Sequence, residues 1–176
     1  LNKIDNFAIE ILLITQEGSI KPYLDLISQS GVKIHNLDSG LYQFFKIFSK
    51  LIKFFKANKF DIIHVHLFPC FYYIPFVQCF FKVKTKLFFT EHSTKNKRSK
   101  SFFGRKMDWF FYSRYDKVVA IGDAVKNSLL ARGIKEKKLI VIENGIDISL
   151  YKQIVKNGYL FKIGMVGRFN NPKNQN

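Results

Sequence analysis

Three histidines stand in or just after apolar runs of this sequence, where side chains can meet a polar ligand. His64 and His66 alternate within the run 61–66, so they should share one face of a strand. With no third ligand beside that pair, a structural role or a single ligand contact is favoured over a metal site. His92 directly follows the run 86–90, and its imidazole could donate to a sugar hydroxyl or a phosphate oxygen. A surface-loop histidine is the alternative for His92.

A second group of residues has the composition of a phosphate site. The strand pattern 162–166 leads into Gly167 and Arg168, 171–172 suits the start of a helix, and Lys173 follows. A strand, a tight turn and a helix start can hold phosphate through backbone N–H groups. The guanidinium adds a planar bidentate donor, and the lysine adds a point charge. A basic loop in a basic protein is the alternative.

The elements that must position these residues alternate along the chain. Strand patterns cover 8–14, 32–37, 61–66, 86–90, 117–121, 139–142 and 161–166, and helical patterns cover 19–30, 42–58, 67–81, 102–114 and 124–132. Asp123 is placed to cap a helix, and Gly31 and Gly133 to end one. This alternation predicts an α/β fold, a Rossmann-like parallel sheet with helices on both faces. Ligands then bind at the carboxyl ends of the strands.

Composition excludes several classes of protein. The 176 residues include 29 Lys+Arg against 13 Asp+Glu, a net charge of +16, and 47% are hydrophobic, which argues against disorder. Two cysteines exclude a disulfide scaffold or a four-ligand zinc site and indicate reduced thiols in a cytosolic protein. The apolar stretch 67–81 is shorter than a membrane span and contains two prolines, so it is expected to be buried.

Five short strings, in this order, resemble family 4 of the retaining glycosyltransferases, which have the GT-B fold: 61–66, 89–93, 118–129, 141–147 and 164–175. The resemblance extends from about residue 8 to residue 175. It implies two Rossmann-like domains, one for the acceptor and one for the nucleotide-sugar donor. We expect 1–157 to be the acceptor-side domain without its first strand, and 158–176 to begin the donor-side domain, so that the chain is truncated at both ends.

The resemblance also implies roles for individual residues. His92 falls where these enzymes carry a histidine that contacts the transferred sugar. Arg168 and Lys173, with Gly167 at the turn, fall on the group that binds the donor diphosphate, without a metal or other cofactor. The cleft or acceptor side would include the following residues: His66, Ser93, Asn144 and Gly145.

The function implied is transfer of a sugar from a nucleotide-diphosphate sugar to a glycan or lipid-linked acceptor, with retention, in cell-surface polysaccharide or glycolipid synthesis. We expect a cytoplasmic protein, at the inner face of the cell membrane. The basic run 95–106 fits a solvated loop as well as contact with anionic lipid or a phosphorylated acceptor. The lysines of the helical pattern 42–58 are expected to be solvated.

Three alternatives remain. A nucleic-acid-binding module would use the positive charge and the aromatic residues. The aromatic residues, however, fall in apolar helix and strand patterns, where they are expected to belong to the core. A dinucleotide-dependent enzyme needs a glycine-rich turn after the first strand, and only Gly18 is there. An inactive remnant of a glycosyltransferase is the third, and we expect the 176-residue chain alone not to transfer sugar, because half of the donor site would be absent.

Overall fold

The computed structural model describes residues 7–15, 21–40, 43–81, 85–94, 101–146 and 148. The strands are β1 (Glu10–Leu13), β2 (Lys33–Asn36), β3 (Ile62–His66), β4 (Lys86–Glu91), β5 (Lys117–Ala120) and β6 (Leu139–Val141). The helices are α1 (Lys21–Gln29), α2 (Phe44–Ala57), α3 (Cys70–Phe81), α4 (Phe102–Arg114) and α5 (Asp123–Ala131), and a short 3-10 helix, Glu136–Lys138, precedes β6. The predicted strand 161–166 and the phosphate turn after it lie outside the described residues.

All described strand pairs are parallel. β1 pairs with β2, and the other four strands form a sheet in the order β3-β4-β5-β6. In β3 and β4, Ile62 lies opposite Lys86 and His66 opposite Thr90, so both strands end at the same edge of the sheet. The predicted Rossmann-like α/β fold is confirmed, although its described strands form two hydrogen-bonded groups.

The core lies between the four-stranded sheet and the helices. Strands contribute alternate residues such as Leu87 and Phe89, and α2 contributes Ile47, Leu51 and Phe55 at the spacing of one helix face. α3 is buried in its middle, where Pro75 lies inside the helix. Within the described ranges, no helix is both long enough and apolar enough to cross a bilayer.

The two glycines predicted to end helices do so, whereas the predicted N-cap of α5 is wrong. Gly31 and Gly133 have φ of +75° and +82°, as expected of residues that end helices. The prediction that Asp123 caps α5 is wrong, because Asp123 is already the first helical residue and Gly122 occupies the cap position.

The lysines of α2 do not all behave alike. Lys46, Lys53 and Lys56 are exposed, as predicted. Lys50 is an exception, because its Nζ donates to the backbone carbonyls of Leu37 and, at 3.0 Å, of Asp38. This lysine therefore ties α2 to the chain that leaves β2.

The chain divides into two compact units, Leu1–Asn144 and Gly145–Asn176, and the strands and helices above belong to the first. The boundary predicted between residues 157 and 158 lies outside the described residues and stays a prediction.

Phe71 has the most extensive set of aromatic contacts in the described core. Its ring is fully buried, 4.7 Å from the Phe89 ring and 4.6 Å from the Tyr112 ring, and it stacks on Tyr115 at 5.5 Å. It therefore joins α3 to β4 and α4.

We predict that Phe71→Ala lowers the free energy of unfolding by about 3–5 kcal/mol, since it removes a buried ring and leaves a cavity. Chemical denaturation measures this. The matched control is Phe45→Ala on α2, where the ring is 86% exposed and the expected change is below about 0.5 kcal/mol. Equal effects of the two substitutions would contradict this account of the core.

Candidate active site

Two histidines meet at the carboxyl ends of β3 and β4. His66 is the last residue of β3, and His92 follows β4 directly. Nδ1 of His66 lies 3.3 Å from Nε2 of His92, and the two ring centroids are 5.6 Å apart. The sequence placed both residues at strand ends, and the parallel pairing of β3 with β4 brings them together.

His64 lies two residues before His66 on β3, and its ring packs against the ring of His66. Its ring centroid is 4.4 Å from that of His66, as expected for alternate residues on one strand face. Its Nε2 lies 2.7 Å from Oγ1 of the buried Thr90 on β4. This contact fixes the orientation of the His64 imidazole, against which the His66 ring packs.

The environment favours the neutral form of the His64 and His66 imidazoles. Partial burial of the imidazole, followed by the charges of His64 and His92, lowers the pKa of His66 from 6.5 to about 4. Partial burial and the nearby His92 also lower the pKa of His64. A neutral imidazole can both donate and accept a hydrogen bond, which suits contact with a polyol.

A buried carboxylate holds the turn that carries His92. Glu91, the last residue of β4, is 5% exposed and accepts a 2.5 Å hydrogen bond from the hydroxyl of Tyr112. Its other oxygen accepts from the backbone N–H of Ser93 at 3.1 Å. Burial, reinforced by the Glu91 charge, raises the pKa of Tyr112 well above its usual range, so the phenol remains a donor.

Helix α5 holds the same loop two residues later. The hydroxyl of Ser128 donates to the carbonyl of Thr94 at 2.8 Å, and Nη2 of Arg132 donates to that carbonyl at 2.6 Å. Arg132 also donates to Ser128 Oγ at 3.1 Å. His92 therefore sits on a segment held on one side by the Glu91 carboxylate and on the other by α5.

Sequence reasoning missed Glu91, Ser128 and Arg132 as parts of this site. An acidic residue at the end of a buried strand was a usable signal for Glu91, because a buried carboxylate must find hydrogen-bond donors. The positions of Ser128 and Arg132 carried no comparable signal, since both belong to an ordinary helical pattern.

Of the remaining predicted site residues, Ser93 and Asn144 lie in the first compact unit. Ser93 takes part through its backbone N–H. Asn144 is exposed, and within the described part of the chain no hydrogen bond or ring contact joins it to His66 or His92. Gly145 begins the second compact unit. The residues predicted to bind the donor diphosphate lie outside the described ranges: Gly167, Arg168 and Lys173.

The described residues offer no group of three or more His, Cys, Asp or Glu side chains that could hold a metal ion. The three adjacent imidazoles are instead engaged with one another and with Thr90. The prediction that function needs no metal or other cofactor stays a prediction.

A parallel α/β domain with polar residues at its strand ends is Rossmann-like, and solved GT-B structures share its fold. The structure of Anabaena Alr3699/HepE in complex with UDP and glucose matches with a TM-score of 0.60 and 19% identity, over 81% of this chain and 46% of that one. The lipopolysaccharide outer core galactosyltransferase WaaB matches with a TM-score of 0.54 and 13% identity, over 80% and 46%.

A third solved structure shares the fold without being named a transferase. The UDP-GlcNAc 2-epimerase from Methanocaldococcus jannaschii matches with a TM-score of 0.51 and 17% identity, over 76% of this chain and 44% of that one. At these identities the likeness concerns the fold alone. The chain spans a little under half the length of the solved structures that it matches.

The sequence itself identifies the family. Residues 6–150 match the family model described as Glycosyltransferase Family 4. The chain belongs to Glycosyltransferase Family 4. A comparison with curated proteins finds no match.

The lowered pKa of His66 predicts a pH-dependent stability. In the unfolded chain His66 takes up a proton near pH 6.5, and in the folded chain only near pH 4. The contribution of the neutral His66 to the free energy of unfolding is therefore complete above pH 6.5. It is lost progressively as the pH falls from 6.5 to 4. Urea denaturation across this range should show stability falling with pH, and less steeply in His66→Gln. Identical pH profiles for the two proteins would contradict the assignment.

The Tyr112–Glu91 hydrogen bond predicts strong energetic coupling. A double-mutant cycle with Tyr112→Phe and Glu91→Met should give a coupling free energy of about 1–2 kcal/mol, because each substitution removes one partner of a buried hydrogen bond. Chemical denaturation of the four proteins measures it. Additive effects of the two substitutions would show that this contact does not hold the turn.

Proposed function

We propose that this chain forms the acceptor-side domain of an enzyme that transfers a sugar from a nucleotide-diphosphate sugar to a glycan or lipid-linked acceptor, with retention of configuration. The observation that carries the proposal is the His66–His92 contact at the carboxyl ends of adjacent parallel strands. Membership of Glycosyltransferase Family 4 supports sugar transfer as the reaction.

In this proposal His92 orients the transferred sugar by hydrogen bonding and does not act as a nucleophile. The contact with His66 uses Nε2 of His92, so Nδ1 of His92 remains for a ligand. His92 is exposed, which leaves that nitrogen within reach of a bound sugar. The attacking hydroxyl belongs to the acceptor, and its proton passes to an oxygen of the departing diphosphate.

The diphosphate leaving group develops negative charge during transfer, and that charge must be stabilised. We assign this role to Arg168 and Lys173, which follow Gly167 in the turn that the sequence predicts. A guanidinium and an ammonium aimed at the leaving group stabilise it electrostatically without a metal. The UDP and glucose in the complex of HepE support a nucleotide sugar as donor.

The acceptor side of the proposal follows from the same relatives. WaaB is named as a lipopolysaccharide outer core galactosyltransferase, which supports a glycan attached to lipid as the acceptor. Cell-surface polysaccharide or glycolipid synthesis, at the cytoplasmic face of the cell membrane, is the setting that we propose.

We predict that His92→Ala in the complete enzyme lowers the turnover number by about 100-fold or more, since it removes a hydrogen bond at the reaction centre. Unfolding stability should change little, because the side chain is exposed. Steady-state kinetics with a UDP-sugar donor, together with thermal denaturation, measure both quantities.

The matched control is His35→Ala. His35 lies on β2, where its Nε2 is 2.6 Å from a carboxylate oxygen of Glu10 and its ring packs edge-on against Phe54. We expect the turnover number of this variant to be unchanged. An undiminished turnover number in His92→Ala would refute the role proposed for His92.

A further inference from the structure

Helix α4 has apolar residues on the side that faces away from the core. Its inner side buries Asp108, Phe111 and Tyr112. Its outer side exposes a row of large apolar side chains, which we call the α4 aromatic face: Phe102, Phe103, Met107, Trp109 and Phe110. Their exposed fractions range from 37% for Met107 to 74% for Phe103. The expectation that the aromatic residues belong to the core is therefore right for Phe111 and Tyr112 and wrong for the aromatic residues of this outer face.

Single exposed apolar residues are ordinary, but five on the outward side of one helix mark a contact surface. A surface helix normally presents polar residues to water. On α4 the 3.6-residue spacing places Phe103 and Phe110 next to Phe102 and Trp109 on the outward side. Exposure of these apolar side chains to water is unfavourable, so transfer of the face into a less polar medium lowers the free energy.

The same face carries positive charge and no exposed acid. Nζ of Lys106 lies 4.5 Å from the centroid of the Phe102 ring, and the guanidinium carbon of Arg114 lies 4.7 Å from that of Phe110. Arg105 is exposed beside them. The one acid of the helix, Asp108, is buried and accepts a hydrogen bond from the Tyr72 hydroxyl on α3.

Aromatic rings interleaved with lysine and arginine match the interface of a lipid bilayer. Amphipathic rings such as that of Trp109 favour the level of the headgroups, and long basic side chains extend to the lipid phosphates while their stems stay in apolar surroundings. The positive charge selects for anionic lipid. Nucleic acid is less suitable, because binding of single strands needs a basic groove that follows the backbone, whereas this surface is the outside of one helix.

We propose that the α4 aromatic face docks on the surface of an anionic lipid bilayer. This inference deepens the proposed function, since it supplies the surface through which the domain would meet a lipid-linked acceptor. It is tested without any sugar donor, so lipid binding and sugar transfer can each fail while the other stands.

The protein contains a single tryptophan, and it lies in this face, 54% exposed. Trp109 fluorescence is therefore a direct probe of docking. With vesicles of phosphatidylcholine and phosphatidylglycerol, we expect a blue shift of its emission and quenching by lipids brominated on the acyl chain. With phosphatidylcholine alone the shift should be much smaller, and added salt should weaken binding to the anionic vesicles.

Two exposed rings can be removed while the tryptophan is kept. Phe103→Ser combined with Phe110→Ser should weaken binding to anionic vesicles by at least about tenfold, because both rings belong to the outward side of α4. The matched control is Phe45→Ser, which removes an exposed ring from α2 and should leave vesicle binding within about twofold. Far-UV circular dichroism should be unchanged in both variants, so that a loss of binding cannot reflect unfolding.

Several outcomes would overturn the inference. Equal binding to neutral and anionic vesicles would remove the role of charge, and an unshifted Trp109 emission would remove the role of this face. A dimer in sedimentation velocity that Phe103→Ser with Phe110→Ser abolishes would assign the face to a second copy of the chain. Salt-dependent binding of single-stranded RNA that these substitutions abolish, without vesicle binding, would assign it to nucleic acid.

Discussion

The candidate site depends on the parallel pairing of β3 with β4. The register that places His66 opposite Thr90 ends both strands at one edge of the sheet, and His92 follows β4 there. A shift of one residue would turn each side chain to the other face of the sheet. The contact between His66 and His92 therefore follows from the backbone hydrogen bonds between β3 and β4, whose buried side chains Val65, Leu87 and Phe89 belong to the core.

The polar groups around this pair stabilise the fold and also position the loop that carries His92. A buried carboxylate is costly unless it receives hydrogen bonds, and Glu91 receives them from Tyr112 of α4 and from the backbone beside His92. The groups that make the carboxylate tolerable also fix the loop that would meet a substrate. In the same region, partial burial lowers the pKa of His66 to about 4, so this imidazole offers hydrogen bonds and no positive charge near pH 7.

Helix α4 links this site to the surface of the domain. Tyr112 and Phe111 face inward, one to Glu91 and both to the Phe71 ring, while the outward side carries the α4 aromatic face. A helix that is apolar on both sides can pack against the sheet and still present a surface to a second medium. The proposed bilayer contact would then lie on the outer side of α4. The His92 loop would lie next to it, at the end of β4, where Tyr112 of α4 holds it through Glu91.

The sequence by itself determined the elements and their kind. The period of 2 in β3 and of 3.6 in α2 are local patterns, and Gly31 and Gly133 end helices because only a residue without a side chain adopts positive φ at no cost. Only the tertiary structure decided which residues meet across the chain. Tyr112 reaches Glu91 over 21 residues, and Arg132 reaches the loop after His92 over 38. The outward position of Phe103 and Phe110 was decided in the same way. A helix with two apolar sides carries no local signal of which one packs, because that depends on where the sheet and α3 come to lie.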